Sequence, residues 1–193
     1  MRIIGGSGRG RRILSVGEEV GTRPISSRLK QSLFDILRPR TLGAKFLDLY
    51  AGTGAVGLEA LSRGAEYAFF VERDKRCLEV IRKNLERAGF SGRGAAQPGN
   101  ALEDLSWIAF RAGISQFDLI FLGPPYKDLE KRPLALTTPT LKRVLEAGLL
   151  APDALIVCQH QVKEPVEIPP GLELIRREKY GDTFMSFVKA AKG

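Results

Sequence analysis

Short, nearly continuous apolar runs recur along the chain, and between them apolar residues fall three and four apart. Phe46, Leu47 and Leu49 form one run. Residues 67–72 (Tyr-Ala-Phe-Phe-Val-Glu), 117–122 (Phe-Asp-Leu-Ile-Phe-Leu) and 154–159 (Ala-Leu-Ile-Val-Cys-Gln) form three more. Such runs, bounded by turn residues, predict strands buried on both faces. A weaker strand is expected around 94–98 because its neighbours require one. Val56, Leu58, Ala60 and Leu61 open a helix after the first run. Leu78, Ile81 and Leu85 give a helical face over 74–88, with Gly89 as its stop. Leu105, Ile108 and Ala109 mark another helix, and a further one is expected near 138–147. Residues 172–189 predict an antiparallel pair turning at Tyr180-Gly181-Asp182. Ahead of all this, Leu29, Leu33, Ile36 and Leu37 share one stripe of a helix starting near Ser26 or Ser27, which Pro39 is expected to end. Residues 1–25 read as an extended arm, in which Gly5-Gly6-Ser7-Gly8-Arg9-Gly10 would serve as a hairpin loop or a mobile linker. The organisation expected is an arm and helix over 1–40, packed on a main domain over 41–193. Its β-α alternation predicts an α/β fold with a parallel, doubly wound sheet, in which ligands bind beyond the carboxyl ends of the strands.

Four segments that carry chemistry fall at that end. The first strand runs into Asp48-Leu49-Tyr50-Ala51-Gly52-Thr53-Gly54, and a helix follows. Glycines in such a turn let a ligand approach the backbone. Gly52, Gly54 and Gly57 also satisfy G-x-G-x-x-G, so a dinucleotide site and a purely structural turn are both readings to weigh. Asp48 argues against a pyrophosphate, which would repel it. A ligand with an ammonium and a sulfonium would welcome a carboxylate there, so S-adenosylmethionine is the favoured ligand. Glu72, twenty residues after Gly52, can accept hydrogen bonds from a ribose diol; it could instead be a surface acid paired with Arg73 or Lys75. Asn100 with Ala101 could read an adenine edge, a weak signal when it stands alone. The fourth segment is the turn Gly123-Pro124-Pro125-Tyr126.

Composition and charge add a partner. Of 193 residues, 44% are apolar and 27% charged, as in a soluble globular protein. The net charge is +8, and residues 1–40 hold most of it: Arg2, Arg9, Arg11, Arg12, Arg23, Arg28, Lys30, Arg38 and Arg40 stand against Glu18, Glu19 and Asp35. A localised excess points to a polyanion, most simply nucleic acid, with a solvated basic face as the plainer reading. Cys77 and Cys158 are far apart and form no cluster with the single His160, so no metal site is proposed. They look like small buried residues of a reducing compartment, and His160 like a structural residue. No apolar run spans a bilayer, and a cytoplasmic protein is expected.

Over essentially its whole length the chain resembles the bacterial methyltransferases that modify the exocyclic N2 of a guanine in small-subunit (16S) ribosomal RNA. The resemblance rests on Met1-Arg-Ile-Ile-Gly-Gly6, on Arg23-Pro24 with Arg28 and Leu33-Phe34, on residues 48–54 and 57–65, on Val71-Glu72 and on Pro124-Pro125-Tyr126. It implies a Rossmann-like class I S-adenosylmethionine-dependent fold with seven strands, six parallel and one antiparallel. It also implies a donor site of Asp48, Tyr50, Ala51, Gly52, Thr53 and Gly54 for the methionine part, Glu72 for the ribose and Asn100-Ala101 for the adenine, with Arg73 also in the cofactor site. Catalysis would fall to residues 123–126 and RNA contact to Arg2, Arg9, Arg11, Arg12 and Arg23. The partner implied is 16S ribosomal RNA within a small-subunit assembly particle, met by a monomer. One position departs from the pattern: Gly123 stands where the family has Asp or Asn. Losing that acceptor removes a hydrogen bond worth ~1.5–3 kcal/mol. A weakened enzyme, compensation by Asp128, or a substitution at this position would each fit. Two other functions stay open: an adenine-N6 DNA methyltransferase, and a non-catalytic RNA-binding or assembly protein.

Overall fold

A computed structural model describes residues 1–16 and 25–191. The glycine turn and the Pro-Pro-Tyr turn are both set by the central sheet. Strands β1 (Lys45–Leu49), β2 (Tyr67–Glu72), β3 (Gly94–Pro98), β4 (Phe117–Leu122), β5 (Leu150–Gln161), β6 (Leu172–Tyr180) and β7 (Thr183–Ala190) lie in the order β3-β2-β1-β4-β5-β7-β6. Only β7 runs against the rest, pairing antiparallel with β5 and with β6. This is the sheet of six parallel strands and one antiparallel strand that the resemblance implied.

Side chains alternate across that sheet, so each strand feeds two cores. Phe46, Phe70, Leu119 and Phe121 join the face covered by α1 (Ser27–Thr41), α2 (Ala55–Ser62) and α3 (Lys75–Arg87). Leu47, Leu49, Phe69 and Ile120 join the face covered by α4 (Trp107–Ala112) and α5 (Thr137–Glu146). Burial on both faces is why these strands read as unbroken apolar runs. Cys77, Cys158 and His160 are all buried within it, the imidazole against Ser186 Oγ at 2.9 Å.

One detail differs from expectation. Helix α1 does not stop at Pro39 but runs through it to Thr41. The proline sits in the last turn and deprives only the exposed Asp35 carbonyl of a partner, while Leu37 and Thr41 hold the turn to the core. Of the two readings of the arm's glycine stretch, the structure has the hairpin loop and not the mobile linker. Residues 2 and 12 pair antiparallel, Ile3 and Ile13 are buried, and the loop between them is clamped to α2. The Glu59 carboxylate accepts the Ile4 and Gly5 amides at 2.9 and 2.8 Å, pairs with the fully buried Lys30 at 3.0 Å and accepts Arg63 Nε at 2.8 Å. Burial pushes the Glu59 carboxyl up, yet the Ile4 amide, Lys30 and Arg63 together hold it below its ordinary range. Gly6 has a positive φ of 74°, and a Cβ there would lie 1.7 Å from the Ser62 carbonyl oxygen, so that position has no room for a side chain.

Candidate active site

After β1 the backbone enters left-handed conformations at Tyr50, Gly52 and Gly54, then turns directly into α2. The turn closes through Gly54 N–H to the Ala51 carbonyl at 2.8 Å, and the Ala51 amide bonds the Val71 carbonyl of β2. Nothing lies within 4 Å of where a Gly52 side chain would start, so the chain there faces open space. Gly57 has a different reason. A Cβ on it would stand 2.3 Å from the Phe70 ring, so α2 can lie this close to the sheet only without a side chain at that point.

Two carboxylates flank the turn. Asp48, 1% exposed, accepts the Gly57 amide at 2.9 Å, in the first turn of α2. Burial pushes its carboxyl up to about 8, against the Gly57 bond and with a further push from Glu72. Asp48 therefore lies beneath the loop, not on its open side. Glu72, at the end of β2, accepts the Gly52 amide at 2.8 Å through Oε2 and the Arg73 and Asp74 amides at 2.8 and 3.0 Å through Oε1. A carboxylate oxygen has two acceptor sites, so Oε2 keeps one for a hydroxyl. The surface-pair alternative with Arg73 or Lys75 does not describe it: the bond from Arg73 is a backbone one, and the carboxylate shapes the loop.

The remaining candidates are spread along the same edge. Tyr50 reaches across to α5, its hydroxyl 2.6 Å from Thr140 Oγ1. Thr53 contributes its carbonyl to Asn84. Arg73 is exposed. Asn100 accepts the Leu102 amide at 3.1 Å and donates to Glu103 at 3.1 Å, so its side chain builds its own turn, and Ala101 is buried in the α4–α5 core.

The turn after β4 sits beside the glycine loop because β4 is the neighbour of β1. The Gly123 amide bonds the Leu49 carbonyl at 3.3 Å. Gly123 needs no left-handed φ, but a Cβ there would lie 2.8 Å from the Phe121 ring edge. Pro124 is buried and Pro125 half-buried. The Tyr126 hydroxyl is fixed by Thr183 Oγ1 at 3.0 Å and accepts Gln159 Nε2 at 3.1 Å. Asp128 is committed elsewhere, holding Arg132 and the Glu130 and Arg132 amides.

On the arm, Arg2, Arg9, Arg11 and Arg12 are exposed. Arg2 spends one N–H on the Gly10 carbonyl and Arg11 one on the Ala88 carbonyl. Arg11 and Arg12 line an open depression with Arg87. Arg23 lies outside the described residues. Sequence reasoning missed Glu59 and Asn84, which bind the arm to the domain; the Asn84 amide donates to the Leu14 and Thr53 carbonyls and accepts the Leu14 amide. Both could have been found: Glu59 interrupts an otherwise apolar helix, and Asn84 falls on the Cys77–Ile81 stripe. Gln159 and Thr183 left no such signal.

The sheet order, the glycine turn after β1 and the acid closing β2 define the class as a methyltransferase fold of the S-adenosylmethionine-dependent kind. The chain belongs to the family described as Conserved hypothetical protein 95, which matches residues 1–189. It is 34% identical over 179 residues to ribosomal RNA small subunit methyltransferase D of Escherichia coli K12, covering 93% of this chain and 84% of that one. It is 34% identical to YlbH of Bacillus subtilis over 98% of both chains. The solved structure of yhhF from Escherichia coli superposes with a TM-score of 0.80 at 30% identity, over 98% of this chain and 97% of that one.

Proposed function

We propose that this protein transfers a methyl group from S-adenosylmethionine to the exocyclic N2 of a guanine in small-subunit ribosomal RNA. The observation that carries this reading is the hydrogen bond from the Gly123 amide to the Leu49 carbonyl, which seats the Pro-Pro-Tyr turn against the strand that enters the glycine loop. A donor lying over Gly52 and a base lying against Tyr126 would then meet across two adjacent strand ends.

The residues fit the donor. Gly52 offers open backbone, Glu72 Oε2 retains an acceptor site for a ribose hydroxyl, and the buried Asp48 carboxyl, holding the Gly57 amide from beneath the loop, would ionise as an ammonium binds above it. When bound, the donor supplies an electrophilic methyl group on its sulfonium. The chain's own work is to orient the nucleophile. A guanine amino nitrogen has its lone pair delocalised into the ring, and acceptors on its hydrogens favour the pyramidal geometry that frees it. The prolines supply no N–H, so the turn presents carbonyl oxygens to those hydrogens. Tyr126, its hydroxyl already held, offers a fixed ring face for stacking a base worth ~1–3 kcal/mol. The exposed arginines of the arm suit phosphates, and RNA affinity should fall with salt less steeply once Arg9 and Arg12 are replaced by Ala.

Gly123 favours a second reading, an RNA-binding or assembly protein with little turnover. Labelled S-adenosylmethionine, small ribosomal subunits lacking the modification and digestion to nucleosides distinguish the two. Label in N2-methylguanosine is expected. Donor and RNA binding without label would replace the enzyme by the binding protein.

A further inference from the structure

Among the described residues three large apolar side chains are more than four-fifths exposed: Leu42, Phe110 and Leu129. Leu42 caps the end of α1 just ahead of β1, and Phe110 lies in α4, which leads into β4. Both therefore belong to the amino ends of the parallel strands, away from the glycine loop. Leu129, 89% exposed, is alone in standing at the carboxyl end.

It stands there on a built hairpin that rises from the Pro-Pro-Tyr turn itself. The Leu134 amide bonds the Tyr126 carbonyl at 3.0 Å, residues 127 and 133 pair antiparallel, and the Asp128 amide bonds the Arg132 carbonyl at 3.0 Å. Inside the tip, the Asp128 carboxylate accepts the Glu130 and Arg132 amides at 2.9 and 2.8 Å and Arg132 Nε at 2.6 Å, while Lys131 takes a φ of +63°. Every polar group of Asp128 is thus turned inward to close the tip, from which Leu129 projects as the apolar side chain beside exposed Glu130, Lys131 and Arg132. Arg132 pairs with both acids of the tip, Asp128 at 2.6 Å and Glu130 at 2.9 Å, and exposed Lys127 and Lys131 remain beside Leu129, a balance that suits a polyanion better than a lipid or an apolar protein face.

We propose that Leu129 is a wedge: it enters the base stack beside the target guanine and fills the gap left when that base turns onto Tyr126. An apolar side chain inserted between bases keeps them unstacked without offering a hydrogen bond to any one sequence. Lys127 at the base of the hairpin and Lys131 at its tip meet the flanking phosphates. This rests on the reading of residues 123–126 as the target-base turn.

Two RNAs test it: a stem-loop in which the target guanine is stacked, and a short unstructured strand of the same local sequence, each also made with 2-aminopurine at the target. Leu129→Ala should lower kcat/KM about tenfold on the stem-loop, leave the unstructured strand unchanged, and abolish the fluorescence rise that the wild type produces on stacked 2-aminopurine. Leu129→Met should restore all three, whereas Leu129→Asn, of similar size but polar, should not. Affinity for S-adenosylhomocysteine should be equal in every variant. Equal losses on both RNAs, or none on either, would overturn the wedge while leaving the methyltransferase intact. A wild type that methylates neither RNA would overturn the function proposed above, and the wedge with it.

Discussion

The two halves of the site are built on different principles. The glycine loop is held by acidic side chains: Asp48 beneath it takes the Gly57 amide, and Glu72 beside it takes the Gly52, Arg73 and Asp74 amides. The Pro-Pro-Tyr turn is held by covalent stiffness and neutral bonds, from two prolines, the Gly123 amide and a tyrosine hydroxyl between Thr183 and Gln159. On the proposed function, the loop that would meet a cation is kept rigid by acidic side chains that are already in place. The turn that would meet a neutral base offers carbonyls and a ring, and the one position where a charge would be expected carries none. The donor half therefore tolerates little change, and the target half can gain by it.

The glycines sharpen this contrast most. Gly57→Ala would drive a methyl group into the Phe70 ring, 2.3 Å from the new Cβ, and should cost ~3 kcal/mol in urea unfolding, with donor affinity falling as α2 moves off the sheet. An unchanged midpoint would show that the helix has slack. Gly123→Asp meets the Phe121 ring edge at 2.8 Å, which a small ring displacement relieves. It should cost ~1 kcal/mol of stability yet raise single-turnover methyl transfer by ~10- to 100-fold, the size of one charge-assisted hydrogen bond in the transition state. Phe121→Leu in the same chain should recover part of the stability. Loss of transfer would mean that the acid does not belong in this turn.

Smaller effects concern the carboxylates. Glu72→Gln turns an N–H₂ toward backbone amides on one side, and should weaken S-adenosylhomocysteine binding by about tenfold in calorimetry. Equal affinity would detach Glu72 from the ribose. Asp48 gives the mildest and most specific signal. Its carboxyl is raised to about 8, so the stability it contributes is present below its ordinary range and is lost as pH rises through about 8. The unliganded protein should weaken between about pH 4 and about pH 8 and level off above, and Asp48→Asn should flatten that slope. A bound ammonium favours the carboxylate, so donor binding at pH 7 should release protons from the wild type but not from Asp48→Asn. Equal release, measured in buffers of different ionisation heat, would remove Asp48 from the ammonium.

Much of this was legible in the chain because it is written locally. Strand runs such as residues 117–122 announce burial on both faces by themselves, and the glycine turn announces its own conformation. Glu72 could be placed by counting from Gly52, because a β-α-β unit has a nearly fixed length. What was not legible depends on pairing across the fold. The tethering of Tyr126 needs β5 and β7 to be neighbours, which no local pattern states. The arm's glycines left a hairpin loop and a mobile linker both open, and what decides for the hairpin is Glu59 in a helix more than fifty residues away. Asn100 looked like an adenine reader by position, while its side chain is taken up by Leu102 and Glu103.

Single-turnover transfer at saturating labelled donor, run on unmodified small subunits with the wild type and Gly123→Asp in parallel, tests the contrast and the function together. The prediction is label on guanine N2 from both proteins, faster from the variant, with equal affinity for S-adenosylhomocysteine. Label on adenine N6, or donor bound by both proteins and label from neither, would contradict it.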